Sequence, residues 1–468
     1  MEILSMKRIV IFMDNPVIPT GYASTCRLTA QELGKRGWDV YATSFNGGTQ
    51  SDTIQDWYNI KILPNYALKR NINANYGDGA TVVQIFNELA PDILFFHNDA
   101  YRYAYIENLP KNILERSVFW LPFEGEHPDV FGVRLFSKCS ATRFVTKHAL
   151  GIHQDSLKDK DIGYIPHAID SDTYIPFPDK RAAKLEKSAG AKDRSIVLKG
   201  IEDKFVVLRV DRHQPRKFWD LSLKAFAKFA QNKQDVFFLA KCNPRDIVMW
   251  DEKEKKGVDL ESLAKELNIS DKIFFDDYFF SSPCMAHCFY HAADVFLTTT
   301  SAEGFGLSSV ESLSCAIPVI YPNVPVLPEV IGDAGMPCKL KGQEWYQAMQ
   351  LFHNIVDTDD VAEKLEWSYN DWKNNNSQEL KKMGEKGRKR VEEKYTPKIV
   401  YDQWDKVFTA ITERRDLVSI VTVLYNVSGK DQIYGEDGID KFRDSIEKYV
   451  KHPYEWLIVD NGSPEREI

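Results

Sequence analysis

Ser301-Ala-Glu-Gly-Phe-Gly-Leu-Ser-Ser-Val-Glu311 is the stretch that decides how this chain is organised. It follows an apolar run, Val295–Thr298, with the length and composition of a buried strand, and it leads into helical spacing over Gly306–Ser314. A strand-to-helix junction presents unpaired backbone N–H groups and the positive end of a helix dipole. Gly304 and Gly306 have no Cβ, so the backbone can come close to a ligand. Glu303 and Glu311 stand at the two ends, and carboxylates accept hydrogen bonds from sugar hydroxyls. The plainer alternative is a helix start whose acidic residues merely complement the dipole.

Outward from this junction, strand-like and helix-like runs alternate. Phe205–Val210 reads as a strand, Asp220–Ala230 as a helix, Val236–Ala240 and Ile273–Phe275 as strands, Met285–Ala293 as a helix and Pro318–Tyr321 as a strand. An earlier series comprises strands at Lys7–Asp14, Trp38–Phe45, Asp92–Phe96, Ser117–Leu121, Phe144–Thr146 and Ile162–Ile165, with a helix over Tyr22–Lys35. Such succession predicts parallel, doubly wound sheets. A charged break between Pro176 and Ile201 separates the two series. The expectation is an α/β protein with one lobe at 1–195 and a second at 196–385. Charged helices follow to about 412, and a short α/β segment occupies 417–468.

The bulk numbers agree. A chain of 468 residues exceeds one ordinary core. Seven cysteines in an ordinary composition point to a reducing compartment, hence to the cytoplasm. No apolar stretch approaches the roughly eighteen residues of a membrane span, and Met1–Asn15 reads as a strand rather than a signal peptide. A net charge of −8 disfavours nucleic acid as a partner. Lys386-Gly-Arg-Lys-Arg390 leaves peripheral contact with the inner face of a membrane open, beside the reading of a solvated helix face.

Three other segments follow strands. In Val210-Asp-Arg212-His-Gln-Pro-Arg-Lys217, Arg212 and Lys217 could clamp a diphosphate, although a solvated basic loop has the same composition. Pro19-Thr-Gly21-Tyr-Ala-Ser24 has one glycine and is a poor dinucleotide fingerprint. Phe96-His97-Asn-Asp99 places a histidine at a strand end. Cys284, His287, Cys288 and His291 share one helix face and are competent zinc ligands. Four ligands on one helix rarely enclose a metal, so a buried small-residue face is the preferred reading, and no metal is expected.

Taken together, residues 7–410 resemble the retaining glycosyltransferases of family 4, which have the GT-B fold of two Rossmann-like lobes facing across a cleft. The resemblance rests on Glu303 through Glu311 (the family's E-x7-E), on Arg212 and Lys217 within its G-R-x-x-x-x-K-G, and on Ile165–Asp170, Asp92–Asp99 and Val326–Ile331. Asp211, Phe218 and Ala316 stand where the family has glycine. The resemblance implies transfer of a sugar from a nucleoside diphosphate sugar, UDP or GDP, to a carbohydrate, glycolipid or glycoprotein hydroxyl, without a divalent metal or other cofactor. It implies that Arg212 and Lys217 bind the diphosphate, that Glu311 holds the ribose, and that Glu303 with the backbone of Gly304, Phe305 and Gly306 orients the donor sugar. It further implies that His97 contacts the transferred sugar, that Gly21 lies by the phosphate, and that residues 386–412 cross back to the first lobe. A non-catalytic sugar-nucleotide or glycan-binding protein and a sugar-nucleotide epimerase remain alternatives.

The tail carries a second resemblance. Val418–Asn426 and Leu457–Ser463 are similar to the opening of a family 2 glycosyltransferase of the GT-A fold, truncated before that family's metal-binding D-x-D. About 50 residues can hardly bury a core of their own.

Overall fold

The computed structural model describes residues 6–18, 20–47, 53–70, 75–188, 200–245, 258–278, 282–346, 351–415, 418–424 and 454–460. The first sheet contains β1 (Arg8–Phe12), β2 (Asp39–Ala42), β3 (Gln55–Trp57), β4 (Ile60–Ile62), β5 (Ile93–Phe96), β6 (Ser117–Leu121), β7 (Ala141–Phe144) and β8 (Ile162–Tyr164). Their order is β3-β4-β2-β1-β5-β6-β7-β8, parallel except for the β3–β4 pair. The second sheet contains β9 (Phe205–Val210), β10 (Val236–Lys241), β11 (Ile273–Asp276), β12 (Val295–Leu297), β13 (Val319–Pro322) and β14 (Gly335–Cys338). It is parallel throughout, in the order β11-β10-β9-β12-β13-β14. The two-lobed α/β architecture expected from the alternation is therefore present.

Strands covered on both faces must be apolar throughout, and β5 and β6 are buried at every position. Phe12, Phe96 and Phe119 stack across β1, β5 and β6 with ring centroids 4.4 and 5.0 Å apart. In the second lobe Phe205, Trp219, Phe226, Phe229, Leu365 and Tyr369 form one buried cluster.

Chain order reverses between β1 and β5 in one sheet and between β9 and β12 in the other. Crevices at such switch points, beyond the carboxyl ends of the strands, are where open α/β sheets bind ligands. The four segments singled out by sequence follow β1, β5, β9 and β12, so the topology collects them.

Some expectations need correction. The strand expected at Phe144–Thr146 lies at Ala141–Phe144, because the Thr146 side chain instead caps the helix Lys147–His153 by accepting from Ala149 N–H. The helix expected at Met285–Ala293 begins at Ser282 and passes into a π-helical turn at Ala286–Tyr290. An antiparallel hairpin, β15 (Leu340–Tyr346) with β16 (Leu351–Val356), was not anticipated.

Three helices follow, Thr358–Asn374, Gln378–Lys394 and Pro397–Arg415. The last brings Trp404 to ring-centroid distances of 4.6 Å from Phe95 and 5.4 Å from Trp120. It also places the Tyr401 hydroxyl 2.7 Å from Thr29 Oγ1. No helix among the described residues is long and apolar enough to cross a membrane. In the tail, β17 (Val418–Leu424) and β18 (Tyr454–Asp460) pair in parallel. The helix expected at 439–450 lies outside the described residues.

Ala316 and Phe218, two of the three residues at family glycine positions, have φ of +58° and +44°. The left-handed backbone that glycine would serve is thus retained by side-chain-bearing residues. Relief of that geometry is worth about 1–2 kcal/mol per residue, set against roughly 0.5–1 kcal/mol of extra chain entropy for glycine. Ala316→Gly is accordingly expected to stabilise the protein by about 0.5–1 kcal/mol, read as a higher urea midpoint at unchanged slope.

Candidate active site

The loop after β9 is built around a buried arginine. Arg209 is 0 % exposed, lies 4.2 Å beneath the Trp219 ring, and donates to Ser222 Oγ at 2.6 Å and Thr299 Oγ1 at 2.7 Å. It also donates to the carbonyl of Lys217. Thr299 Oγ1 in turn donates to the Phe218 carbonyl at 2.7 Å, and Ser301 N–H to the Arg216 carbonyl at 2.8 Å. These bonds fasten the loops after β9 and β12 to each other, and the short helical turn Pro215–Lys217 directs two cations inward.

Lys217, 7 % exposed, pairs with Glu303 and with Asp211 Oδ1, the latter at 2.8 Å. Arg216 lies 3.4 Å from Glu303 Oε2, 3.1 Å from Glu124 Oε1, and donates to the Ala302 carbonyl at 2.9 Å. Burial alone would raise the Glu303 carboxyl, but Lys217 and Arg216 outweigh it and hold the group at about 2. Beyond Glu303, Gly306 adopts φ +88° and opens the helix Leu307–Ser314.

Glu311 sits within that helix in different surroundings. Burial pushes its carboxyl up to about 7, although Tyr290 Oη donates to it at 2.6 Å and the Tyr174 hydroxyl also hydrogen-bonds it. Phe305 is buried, with its ring 5.1 Å from His167 and 5.5 Å from Tyr395.

From the first lobe, Thr20 caps the helix Gly21–Lys35 through Ala23 N–H and donates to Asp14 Oδ2 at 2.7 Å. A Cβ on Gly21 would lie 3.5 Å from Leu307 Cδ1, so this helix start faces the other lobe's helix start. Tyr22 Oη donates to Asp99 Oδ1 at 3.0 Å. The lobes touch directly here: a Cβ on Gly304 would come within 2.8 Å of Pro122 Cβ. A second junction has Glu329 accepting from Lys147 N–H at 2.7 Å and His148 N–H at 3.0 Å.

Of the residues named from sequence, the structure gathers Lys217, Glu303, Gly304 and Gly306, with Gly21 opposite. Arg212 is exposed, its carbonyl accepting from the Trp219 indole at 3.2 Å, while Arg216, 19 % exposed at its side chain, stands with Lys217 against Glu303. His97 is fully buried beneath Tyr22. Its Nδ1–H donates to the Trp120 carbonyl at 2.5 Å, and burial lowers its pKa to about 4, so the ring is neutral. Sequence reasoning also passed over Asp211 as a charged group and Glu124 altogether.

Among the described residues no three His, Cys, Asp or Glu side chains form a group that could hold a metal ion. Cys284 Sγ and Cys288 Sγ lie 3.3 Å apart, and His291 Nε2 is 2.9 Å from the Ile175 carbonyl oxygen. The His287 side chain is outside the described residues.

Strand-end loops from both lobes, the partly exposed Arg216, the buried Lys217 and a glycine-opened helix start meet here, and helix starts of this kind suit anions. Residues 192–390 match the family of glycosyl transferases group 1. An O-antigen chain mannosyltransferase B of Escherichia coli is 51 % identical over 47 residues, covering 10 % of this chain and 12 % of that protein. A mannosylfructose-phosphate synthase of Agrobacterium fabrum is 24 % identical over 170 residues, covering 36 % and 34 %. The chain therefore spans no more than about a third of these two relatives' length. Sucrose-phosphate synthase from Thermosynechococcus elongatus superposes with a TM-score of 0.64 at 15 % identity, over 86 % of this chain and 99 % of that one. HepE of Anabaena in complex with UDP gives 0.60 at 15 % identity, over 86 % and 100 %. The fold is GT-B, two α/β lobes with a helical C-terminal extension.

Proposed function

We propose that the chain is a glycosyltransferase that moves a sugar from a nucleoside diphosphate sugar to an acceptor hydroxyl, with retention of anomeric configuration, in glycan or polysaccharide assembly. The observation that carries this reading is the Arg216–Lys217 pair beside Glu303, where the β9 and β12 loops meet the glycine-opened helix start. The difficult event is cleavage of the anomeric C–O bond, which leaves charge on the β-phosphate. Preorganised cations and a helix N-terminus in a water-poor cleft stabilise that charge without reorganisation. The names of the two relatives, a mannosyltransferase and a mannosylfructose-phosphate synthase, point the same way.

In this reading Lys217 and Arg216 turn from their carboxylates to the diphosphate, and Arg212 reaches it from the rim. Glu303 and the backbone of Gly304–Gly306 then hold the donor sugar, with Gly21 opposite. Neutral His97 supports the sugar from beneath Tyr22. Side-chain cations take the place of a divalent metal. The test is turnover across UDP-, GDP-, ADP- and dTDP-sugars in EDTA. One responding donor names base and sugar, while binding without turnover favours a non-catalytic binding protein and overturns the transferase reading. For residues 417–468 we keep the reading of a GT-A-type opening, supported by the parallel β17–β18 pair that places Asp460 at a strand end.

Glu311 gives a pH signature. Its carboxyl near 7 is charged above that pH and protonated below it. A carboxylate is the stronger acceptor for ribose hydroxyls. The donor KM is therefore expected to rise about five- to tenfold between pH 8 and pH 6, following one proton. Glu311→Gln should give a high KM that no longer varies over this range. A wild-type KM flat across pH 6–8 would remove Glu311 from donor binding.

A further inference from the structure

The carboxylates of the cleft are not equivalent. Glu303 is held by Lys217 and Arg216 and is a very weak base. Asp211 is taken up by Lys217 and Arg209. Asp99, in the loop after β5, accepts from Tyr22 and Arg102. Glu311 is bonded to Tyr290 in the second-lobe helix. Glu124 differs from all of these. It projects from the loop after β6, at the carboxyl end of the first-lobe sheet, and keeps 22 % side-chain exposure. Its one ion pair among the described residues is with Arg216, across the cleft.

Arg216 thus bridges two carboxylates, Glu303 on its own lobe and Glu124 on the facing one. A diphosphate carries more charge than either and would claim the guanidinium. Glu124 would then lose its cation while facing the place where the donor sugar lies, from the acceptor side. Resting on the donor reading above, we propose that Glu124 is the base that receives the proton of the acceptor hydroxyl once the donor diphosphate has taken Arg216 from it.

The step balances without a further reactant. On the face from which the nucleoside diphosphate departs, as retention requires, the acceptor oxygen forms a bond to the anomeric carbon while the C–O bond to the β-phosphate breaks. The bonding pair leaves with the nucleoside diphosphate, and the acceptor proton passes to a Glu124 carboxylate oxygen. Lys217 and, once turned, Arg216 meet the charge on the departing phosphate.

The surroundings suit this role. Burial raises the Glu124 carboxyl, Arg216 and Lys217 lower it, and Glu303 and Asp99 raise it again. The neighbouring hydroxyls of Tyr22 and Tyr101 also feel its charge. Removing Arg216 leaves mostly the terms that make the carboxylate a better base.

The test uses the full chain and its Glu124→Gln and Glu124→Asp variants. UDP and GDP serve as binding probes, and the sugar nucleotide found by the donor panel serves as substrate, with water or glycan as acceptor. Glu124→Gln is expected to unfold at the wild-type temperature and to bind the nucleoside diphosphate at least as tightly, because Arg216 no longer has a competing carboxylate. Its kcat should fall by about 100-fold or more, with loss of the acidic limb of the pH–kcat profile, and Glu124→Asp should recover part of both. A Glu124→Gln kcat within about tenfold of wild type, or a loss matched by an equal loss of nucleotide affinity, overturns the inference while leaving the donor reading intact. Failure of the wild-type chain to bind either nucleotide overturns the donor reading, and this inference with it.

Discussion

Replacing Lys217 with methionine is expected to lower kcat by about 10²–10³-fold while the volume of the side chain is nearly kept. Lys217 is more buried than its neighbour Arg216 and contacts both Glu303 and Asp211. Its ammonium is the charge that a departing phosphate would meet in a site with little water. The loss should appear in kcat more than in the donor KM if the interaction strengthens as the bond breaks. The same substitution strips a cation from two buried carboxylates, and breaking a buried pair costs about 3–5 kcal/mol. That cost has a definite pH dependence. Glu303 is held at about 2 against an ordinary 4.5, so its pairing contributes fully above pH 4.5 and is lost as the pH falls toward 2. Denaturation curves of wild type and Lys217→Met should therefore be furthest apart near neutrality and converge in acid. A variant that retains kcat within tenfold but shows the stability gap would make Lys217 a structural ion pair and not a transfer residue.

Both the fold and the site were legible where local pattern decides, and illegible where long-range docking does. The short runs of β6 and β9, apolar but for Ser117 and Arg209, have the length of strands covered on both faces, and they were read to the residue. The edge strand Gln55–Trp57 and its neighbour Ile60–Ile62 are three residues each and part polar, so no periodicity marks them. Arg212 and Arg216 share one loop, and spacing favoured the former. The turn begun by Pro215 points the latter inward, and that proline was the available signal. Glu124 had no signal at all. It meets Arg216 through the docking of one lobe on the other, which no local stretch encodes. The positions of Phe218 and Ala316 teach a related lesson. Loss of glycine there looked like loss of geometry, yet both residues keep positive φ, because the surrounding bonds, such as that from Thr299 to the Phe218 carbonyl, hold the backbone in place.

Gly384→Ala is the substitution expected to cost the most stability through packing alone. Intrinsic helix propensity argues for the change, since alanine exceeds glycine by about 1 kcal/mol in a helix interior, and Gly384 lies inside the helix Gln378–Lys394. Packing argues against it and wins. The added Cβ would stand 2.0 Å from the Ala316 carbonyl oxygen and 2.7 Å from its carbonyl carbon. Those are backbone atoms, so no rotamer change relieves the overlap and the whole helix must shift. Overpacking of this kind costs about 1–3 kcal/mol and more where the obstacle is rigid; a net loss of about 3 kcal/mol is expected for Gly384→Ala. The neighbouring Gly387→Ala meets Leu313 Cδ2 at 2.9 Å, the end of a side chain that can turn aside, and should cost about 1 kcal/mol or less. Ala316 follows the helix that begins at Gly306 and carries Glu311, so displacing it should weaken nucleotide binding in Gly384→Ala but not in Gly387→Ala. Adding Ala316→Gly to Gly384→Ala should restore only the backbone strain at 316, because the clash is with the carbonyl and not with the methyl group. Urea denaturation of the two single variants and the double variant checks the order. If Gly384→Ala is as stable as wild type or more so, propensity has prevailed and the close approach of this helix to Ala316 is not present in solution.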